Sequence, residues 1–372
     1  MKRSDFSLSQ LRTTIDDQKA EWHPDETEIS TMPREQQLMR LGVQLKDDEL
    51  RLISQFKLET PTPWKDLKFK ALKTPVGLPA AIDWRDHQSA DWTTPIRDQE
   101  SCGSCVAFGT IAALEALLKI RIYQNAGTAV DLSEAHLLFC GGGSCNGWHM
   151  DNACNYLKGN GVPPESCFPY SRGLAVRRCD TCSDWGSRID HTKIKGWSNT
   201  KDVAEMKRRL AENGPQITGM AVYRDFMNYA GGVYQYVQGD LLGYHCVAVV
   251  GYDDSAQCWI CKNSWGTGWG EAHGGERGWF RIKYGQCGID NVFGMWDMEV
   301  AMQATSGYAS YLLVDYSFTA GARYLWAYSE DQWRYAPLTD GQVQGIAKVL
   351  MEAGRVYVWW DGSNITQVRA IK

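Results

Sequence analysis

The chain has 372 residues, of which 44% are hydrophobic and 22% charged, and this balance excludes a mainly disordered protein. At roughly 150 residues per domain, the length predicts two or three domains. The formal net charge of −5 lacks the basic excess that neutralises phosphates, so we expect no nucleic-acid partner. No window approaches the ~18 apolar residues of a membrane-spanning helix, so we also expect no membrane insertion.

The N-terminal region, 1–77, is rich in charge and contains no cysteine. Its apolar residues recur at roughly helical spacing and predict two short amphipathic helices. These residues are Leu38, Leu41, Leu45, Leu50 and Ile53. Prolines then punctuate 59–79, which predicts an extended segment lying over a surface.

The middle region, 78–302, begins with a predicted helix and later becomes rich in strands. Apolar residues after the string SCGSC follow spacings of three or four, which predicts a helix with one buried face. They are Ala107, Ile111, Leu114, Leu118 and Ile122. The strings HCVAVVGYDD and CWICKNSW, separated by a short polar turn, predict a β-hairpin.

The C-terminal region, 303–372, predicts a small α+β domain in which no chemistry is visible. LLVDYSF, ARYLWAYS and RVYVWWDG are the strand candidates, and QVQGIAKVLMEAG is the helix candidate. We therefore expect the chain to be α+β as a whole.

All twelve cysteines lie between Cys102 and Cys287. So many cysteines favour disulfide bonds and an extracellular or other oxidising compartment. The N-terminus, however, has Asp16, Asp17 and Lys19 where a secretory signal would place its apolar stretch. The two observations conflict, and we assign no compartment.

Cys105 is positioned for nucleophilic chemistry. A thiol reacts as its thiolate, which the positive N-terminal end of a helix or a neighbouring base stabilises. Cys105 opens the predicted helix. A cysteine in that position is also often an ordinary core residue, so the helix alone does not decide its role.

The string PIRDQESCGSCVAF resembles the active-site segment of the papain and cathepsin family of cysteine peptidases, and the resemblance extends over about 78–300. His245 in HCVAVVGY and Asn263 in KNSWGTGWGE match the family's downstream partners. The resemblance implies a two-lobed fold, with a helical left lobe and a β-barrel-like right lobe.

It also implies four catalytic roles. Cys105 would be the nucleophile and His245 the general base that later protonates the leaving amine. Asn263 would orient the imidazole, and Gln99 would donate to the developing oxyanion together with the Cys105 backbone amide. Trp265 would shield the His–Asn hydrogen bond at the edge of the substrate site.

Four further positions lie where the family has substrate-binding parts, although Trp148 and Cys246 depart from its usual pattern there. Gly147 and Trp148 correspond to backbone that pairs with an extended substrate, and the Trp148 ring would narrow the cleft or stack on the substrate. Gly219 lies near the main specificity pocket. Cys246 is a second thiol beside His245, for which a small buried hydrophobe is the alternative interpretation.

The resemblance implies that Cys102 pairs with Cys145, and Cys140 with Cys179 or Cys182. The spacing of Cys179 and Cys182 also fits one half of a zinc site, but oxidised pairing is the simpler interpretation. We expect neither a metal nor another cofactor.

The resemblance implies hydrolysis of polypeptides through an acyl-enzyme, most simply as an endopeptidase. Region 1–77 occupies the position of the family's inhibitory propeptide, which predicts a zymogen, although a permanently attached domain is the alternative. Two other functions use the same fold. A peptide ligase would transfer the acyl group to an amine, and a binding protein would have lost catalysis.

Overall fold

The computed structural model describes 7–63, 77–189 and 191–300 and, beyond them, 305–308, 311–316, 323–329, 332–338, 342, 355–361 and 364–371. The chain divides into two compact units, one comprising 1–120 with 125–301 and the other 121–124 with 302–372. Among the described residues, no helix is both long enough and apolar enough to cross a membrane.

The N-terminal region contains more regular structure than its sequence pattern predicts. Its elements are α1 (Leu8–Gln18), β1 (Trp22–Pro24), α2 (Glu28–Thr31), α3 (Arg34–Leu38) and α4 (Asp47–Gln55). The two short helices that were predicted correspond to α3 and α4. Their apolar pattern was misread, however, because Leu38 and Leu50 are 37% and 49% exposed while Ile53 is buried. Most of the predicted extended segment, 64–76, lies outside the described residues.

The longer helices of the larger unit are α5 (Cys105–Leu117), α6 (Met150–Gly159), α7 (Tyr170–Val176) and α8 (Val203–Glu212). The helix predicted after SCGSC is α5, but the single buried face is wrong, since every residue except Ala112 is buried. Small residues such as Ala107 and Gly109 occupy the other faces and allow α5 to be enclosed.

The larger unit contains one ten-stranded sheet. Its strands after β1 are β2 (Ala81–Asp83), β3 (Ile194–Thr200), β4 (Gln216–Tyr223), β5 (Tyr229–Tyr234), β6 (Leu241–Asp253), β7 (Cys258–Lys262), β8 (Glu271–His273), β9 (Glu276–Lys283) and β10 (Met295–Val300). The strand order is β1-β5-β9-β7-β6-β4-β10-β3, with β2 on β6 and β8 on β9. The predicted hairpin is confirmed as the antiparallel pair β6 and β7.

The sheet explains where the site lies. Strand β6 has β4 and β7 as its neighbours and packs against α5, so residues of β6 lie against the helix. Within the described residues, no strand pairing joins β1 to β3. The α+β class is confirmed, but the barrel-like lobe is an open sheet rather than a closed barrel.

The smaller unit contains a six-stranded sheet, ordered β11-β15-β16-β14-β13-β12. The strands are β11 (Thr305–Tyr308), β12 (Tyr311–Tyr316), β13 (Arg323–Ser329), β14 (Gln332–Pro337), β15 (Arg355–Asp361) and β16 (Asn364–Ile371). The three strand candidates from the sequence correspond to β12, β13 and β15. The helix candidate over 342–354 lies outside the described residues, except for Gln342.

Three disulfide bonds are present in the larger unit: Cys102–Cys145, Cys140–Cys179 and Cys167–Cys182. Of the two disulfide partners predicted for Cys140, the structure contains the bond to Cys179. Because Cys182 is bonded to Cys167, the C-x-x-C string supplies no zinc ligands, and no metal-binding cluster of His, Cys, Asp and Glu occurs among the described residues.

Candidate active site

The candidate nucleophile lies at the first residue of a helix. Helix α5 begins at Cys105 after Ser104, and the Cys105 side chain is fully buried. The preceding loop is fixed by the Cys102–Cys145 disulfide and by the Gly103 amide, which donates to the Cys145 carbonyl at 2.9 Å. The helix N-terminus therefore presents its positive end to the thiol from a rigid loop.

His245 and Asn263 are joined by a hydrogen bond that fixes the protonation of the ring. Asn263 Oδ1 lies 2.7 Å from His245 Nε2 and also accepts from the Ser264 amide at 2.8 Å. Because both contacts use the oxygen, Nε2 must carry the proton that it donates. Nδ1 then holds a lone pair, and it has no hydrogen-bond partner among the described residues.

Trp265 covers this pair. Its ring lies 4.8 Å from the imidazole, measured between centroids, and the side chain is buried. An indole in that position excludes water, which would otherwise compete for the His–Asn hydrogen bond.

Gln99 is held by both of its amide atoms. Its Oε1 accepts from the Ser264 hydroxyl at 2.7 Å, and its Nε2 donates to the carbonyls of Cys102 and Arg40 at 2.8 and 3.0 Å. Ser264 thus orients Gln99 as well as Asn263. Ser264 lies within the KNSW string, but no role was predicted for it from the sequence.

Tyr170 is a second supporting residue, and no role was predicted for it from the sequence. Its hydroxyl donates to the Gln99 carbonyl at 2.7 Å and lies 2.7 Å from the Ser104 hydroxyl. Ser104, which precedes α5, and Gln99, the candidate oxyanion donor, are therefore both hydrogen-bonded to the buried Tyr170 hydroxyl.

Burial sets the protonation states of the two candidate catalytic groups. It raises the pKa of Cys105 to about 11, although backbone amides of Cys246 and Gly42 hydrogen-bond the thiol and oppose the rise. Burial also lowers the pKa of His245 to about 4, against the effect of its hydrogen bond with Asn263. At neutral pH both groups are uncharged in this closed state.

The closure is made by 40–44 of the N-terminal region, which leave the turn after α3 and cross the site. Gly42 accepts from the Trp148 amide at 2.8 Å, and the Trp148 carbonyl accepts from the Gln44 amide at 2.9 Å. The Val43 amide donates to the Tyr244 carbonyl at 3.2 Å. Val43 and Trp148 thus pair as in a parallel sheet.

Glycines allow this close approach. A Cβ at Gly42 would lie 2.0 Å from the Gly103 carbonyl oxygen, and one at Gly147 would lie 2.4 Å from the Gly42 oxygen. Gly147 also has a φ of +107°, which favours glycine. Any side chain at either position would push the segment away from the site.

At one end of the segment, Arg40 forms an ion pair with Asp98. The Arg40 Nη1 lies 2.6 Å from Asp98 Oδ1, and the arginine side chain is 3% exposed against 41% for the aspartate. The Arg40 carbonyl is the group that accepts from Gln99 Nε2. Arg40 therefore bonds both to Gln99, through its carbonyl, and to the neighbouring carboxylate of Asp98, through its side chain.

The Trp148 ring is buried against a neighbouring loop. A Cβ added at Gly141 or Gly143 would lie 2.5 or 2.9 Å from the Trp148 ring, and the side chain is 3% exposed. The ring therefore packs on the 141–143 loop, and the backbone of Trp148 is what pairs with the N-terminal segment.

Gly219 and Cys246 lie opposite each other on β4 and β6. A Cβ at Gly219 would lie 2.5 Å from the Phe293 ring, so Phe293 fills the space beside this glycine. The Cys246 sulfur lies 3.0 Å from the Cβ position of Gly109 on α5, and Cys246 is 1% exposed. This contact with α5 favours the alternative of a small buried hydrophobe.

Comparisons with known proteins show the family to which the chain belongs. The sequence model of the family described as Papain family cysteine protease matches residues 78–295. Cysteine proteinase 1 of Entamoeba histolytica and cathepsin L of Sarcophaga peregrina are each 37% identical, over 53% and 58% of this chain and 62% of each relative. The chain thus spans less than two thirds of the length of these curated relatives.

A solved structure resembles a wider part of the chain. The digestive procathepsin L 3 of the Tenebrio molitor larval midgut covers 78% of this chain and 87% of its own, with a TM-score of 0.57 and 26% identity. Because the family model matches more than half of the sequence, the chain belongs to the papain family of cysteine proteases.

Proposed function

We propose that the protein is a cysteine endopeptidase synthesised as a zymogen, in which the N-terminal region 1–77 closes the cleft of a catalytic domain over 78–302. The observation that carries the proposal is the His245–Asn263 hydrogen bond, which leaves a basic nitrogen on β6, the strand that packs against the helix beginning at buried Cys105. Family membership supports the same activity.

In the open enzyme both groups become hydrated, so Cys105 would transfer its proton to His245 and form a thiolate–imidazolium pair. The thiolate attacks the peptide carbonyl, and the oxyanion accepts hydrogen bonds from Gln99 Nε2 and the Cys105 amide. Each such donor contributes about 3 kcal/mol to the transition state. His245 then protonates the leaving amine and activates the water that hydrolyses the acyl-enzyme.

The closed segment supports the zymogen hypothesis. The Arg40 carbonyl accepts a hydrogen bond from Gln99 Nε2. The Gly42 backbone lies against the candidate nucleophile and the loop before it. A substrate carbonyl needs the same donor, so it cannot bind while Arg40 remains. The solved structure that covers 78% of the chain is that of a procathepsin, which supports a pro-form here.

The test compares the folded full-length chain with the same chain cleaved near 76–78. An epoxide directed at active-site cysteines should label Cys105 only after cleavage, and Cys105→Ala should abolish both labelling and peptide hydrolysis. Mass spectrometry of the products distinguishes hydrolysis from transfer to an amine. Equal activity of full-length and cleaved protein would refute the zymogen, and absence of labelling after cleavage would refute the enzyme.

A further inference from the structure

We propose that Asp98 is a specificity residue that favours substrates with an arginine or lysine immediately after the scissile bond. The proposal rests on the peptidase function above and names a substrate class for the same cleft. It starts from the ion pair that the N-terminal segment itself makes beside the candidate catalytic residues.

The carboxylate of Asp98 is oriented before any ligand arrives. Its Oδ1 accepts from the Glu100 amide at 2.8 Å, and a Cβ at Gly266 would lie 3.1 Å from its Oδ2. The Arg40 guanidinium on this carboxylate is 3% exposed. A basic side chain in this position is thus enclosed by protein, and its charge is met by a fixed partner.

The neighbouring arginine does not neutralise the negative charge of Asp98 once the segment leaves. The adjacent Arg97 directs its guanidinium to Asp131 at 2.6 Å. Within the described ranges, Arg40 is the ion-pair partner found for Asp98. Cleavage of the zymogen would therefore leave a carboxylate that a basic substrate residue can pair with again.

The geometry also assigns the side of the scissile bond. The segment runs from Arg40 at Asp98, over the nucleophile with Gly42, to Gln44 at Trp148. Asp98 lies on the wall that carries Trp265, because the two pair as a β-bridge and the Trp265 ring covers His245. His245 must reach the leaving amine, so this wall borders the leaving group.

The contact does not require the full arginine fork. Only Nη1 of Arg40 bonds to Asp98, and Nε is buried without a hydrogen-bond partner among the described residues. A lysine ammonium makes a single contact of the same kind. We therefore define the substrate class by charge, arginine or lysine, rather than by the guanidinium group.

The experiment uses the full chain, folded and then cleaved near 76–78, with pairs of fluorogenic peptides that differ at one position after the scissile bond. One peptide carries arginine and the other citrulline, which has nearly the same shape without the charge. We expect kcat/KM to favour arginine about tenfold, as a charge-assisted hydrogen bond would give. In Asp98→Asn the ratio should fall to about one.

Asp240→Asn is the matched control, since Asp240 also pairs with an arginine of the N-terminal region, Arg34, but both side chains are at least 40% exposed. It should keep the wild-type ratio. Equal cleavage of both peptides by the wild type, an unchanged ratio in Asp98→Asn, or a preference for arginine only before the scissile bond would overturn the proposal. If no peptide is cleaved and Cys105 is not labelled, the peptidase function fails as well.

Discussion

Replacement of Arg40 by methionine tests how the N-terminal segment is held in the cleft. The substitution keeps an unbranched side chain of similar length and removes the charge that pairs with Asp98 at 2.6 Å. It also removes the buried Nε, which has no hydrogen-bond partner among the described residues. The hydrogen bond from Gln99 to the Arg40 carbonyl uses the backbone and should persist.

The expected magnitude follows from the exposure of the two partners. Asp98 is 41% exposed, so water can solvate its carboxylate when the guanidinium is lost, and the penalty of a fully buried orphan charge does not apply. The loss is then one charge-assisted hydrogen bond, about 1.5 to 2 kcal/mol. Since about 1.4 kcal/mol corresponds to a tenfold change, the open population should rise about 10- to 30-fold.

Alkylation of Cys105 in the uncleaved chain measures that population, because a buried thiol reacts only from open states. Peptide mapping separates Cys105 from the other buried thiols, and labelling at Cys154 would reveal global unfolding. Arg34→Met is the control, because the Arg34 ion pair is exposed and worth little. If Arg40→Met is alkylated no faster than Arg34→Met, the ion pair does not hold the segment.

Gly42→Ala should open the full-length chain more than any loss of charge, because the new Cβ would lie 2.0 Å from a backbone oxygen, and residual peptide hydrolysis before cleavage checks this. Gln99→Ala in the cleaved enzyme should lower kcat about 10²- to 10³-fold with little change in KM, as measured by steady-state kinetics with active-site titration. Lys207→Met should lower the free energy of unfolding by about 3 kcal/mol, measured by urea denaturation, because it leaves the buried carboxylate of Asp254 without its cation. In Cys105→Ala the imidazole has no thiolate partner, and burial in the closed form lowers the pKa of His245 to about 4 from 6.5, so the closed form of this variant binds fewer protons than the open form and should lose stability as the pH falls from 6.5 towards 4. Deuterium exchange of the Val43 amide, which donates to the Tyr244 carbonyl in the closed form, should therefore quicken across that window after correction for the intrinsic pH dependence of exchange, and a flat corrected profile would contradict this.

Local motifs account for most of what the sequence predicts about the candidate site. Cys105, His245, Asn263 and Gln99 each lie in a short string whose backbone is determined nearby, by a helix start, a hairpin strand or the turn that follows it. The structure brings these four strings together around α5 and β6. A pattern within ten residues is enough to name such positions.

Contacts between distant segments could not be predicted in the same way. Arg40 and Asp98 are separated by 58 residues, and neither lies in a pattern that indicates its partner. The choice of Cys179 over Cys182 for Cys140 likewise depends on three-dimensional geometry, since both candidates are nearly the same distance along the chain. The apolar spacing of Leu38 was misleading because the segment after α3 leaves helical geometry in order to cross the cleft.

The closed state suppresses reactivity in two coupled ways. Sterically, the Arg40 carbonyl takes the hydrogen bond of Gln99 Nε2 that a substrate carbonyl would need, and the Gly42 backbone covers Cys105. Electrostatically, the same burial raises the pKa of the Cys105 thiol and lowers that of His245, so the two groups are neutral and no ion pair forms between them. The segment therefore needs no charge of its own over the nucleophile, and its buried cation lies at Asp98 instead. Departure of the segment hydrates the thiol and the imidazole in one step, so the opening that admits a substrate also favours the thiolate that attacks it.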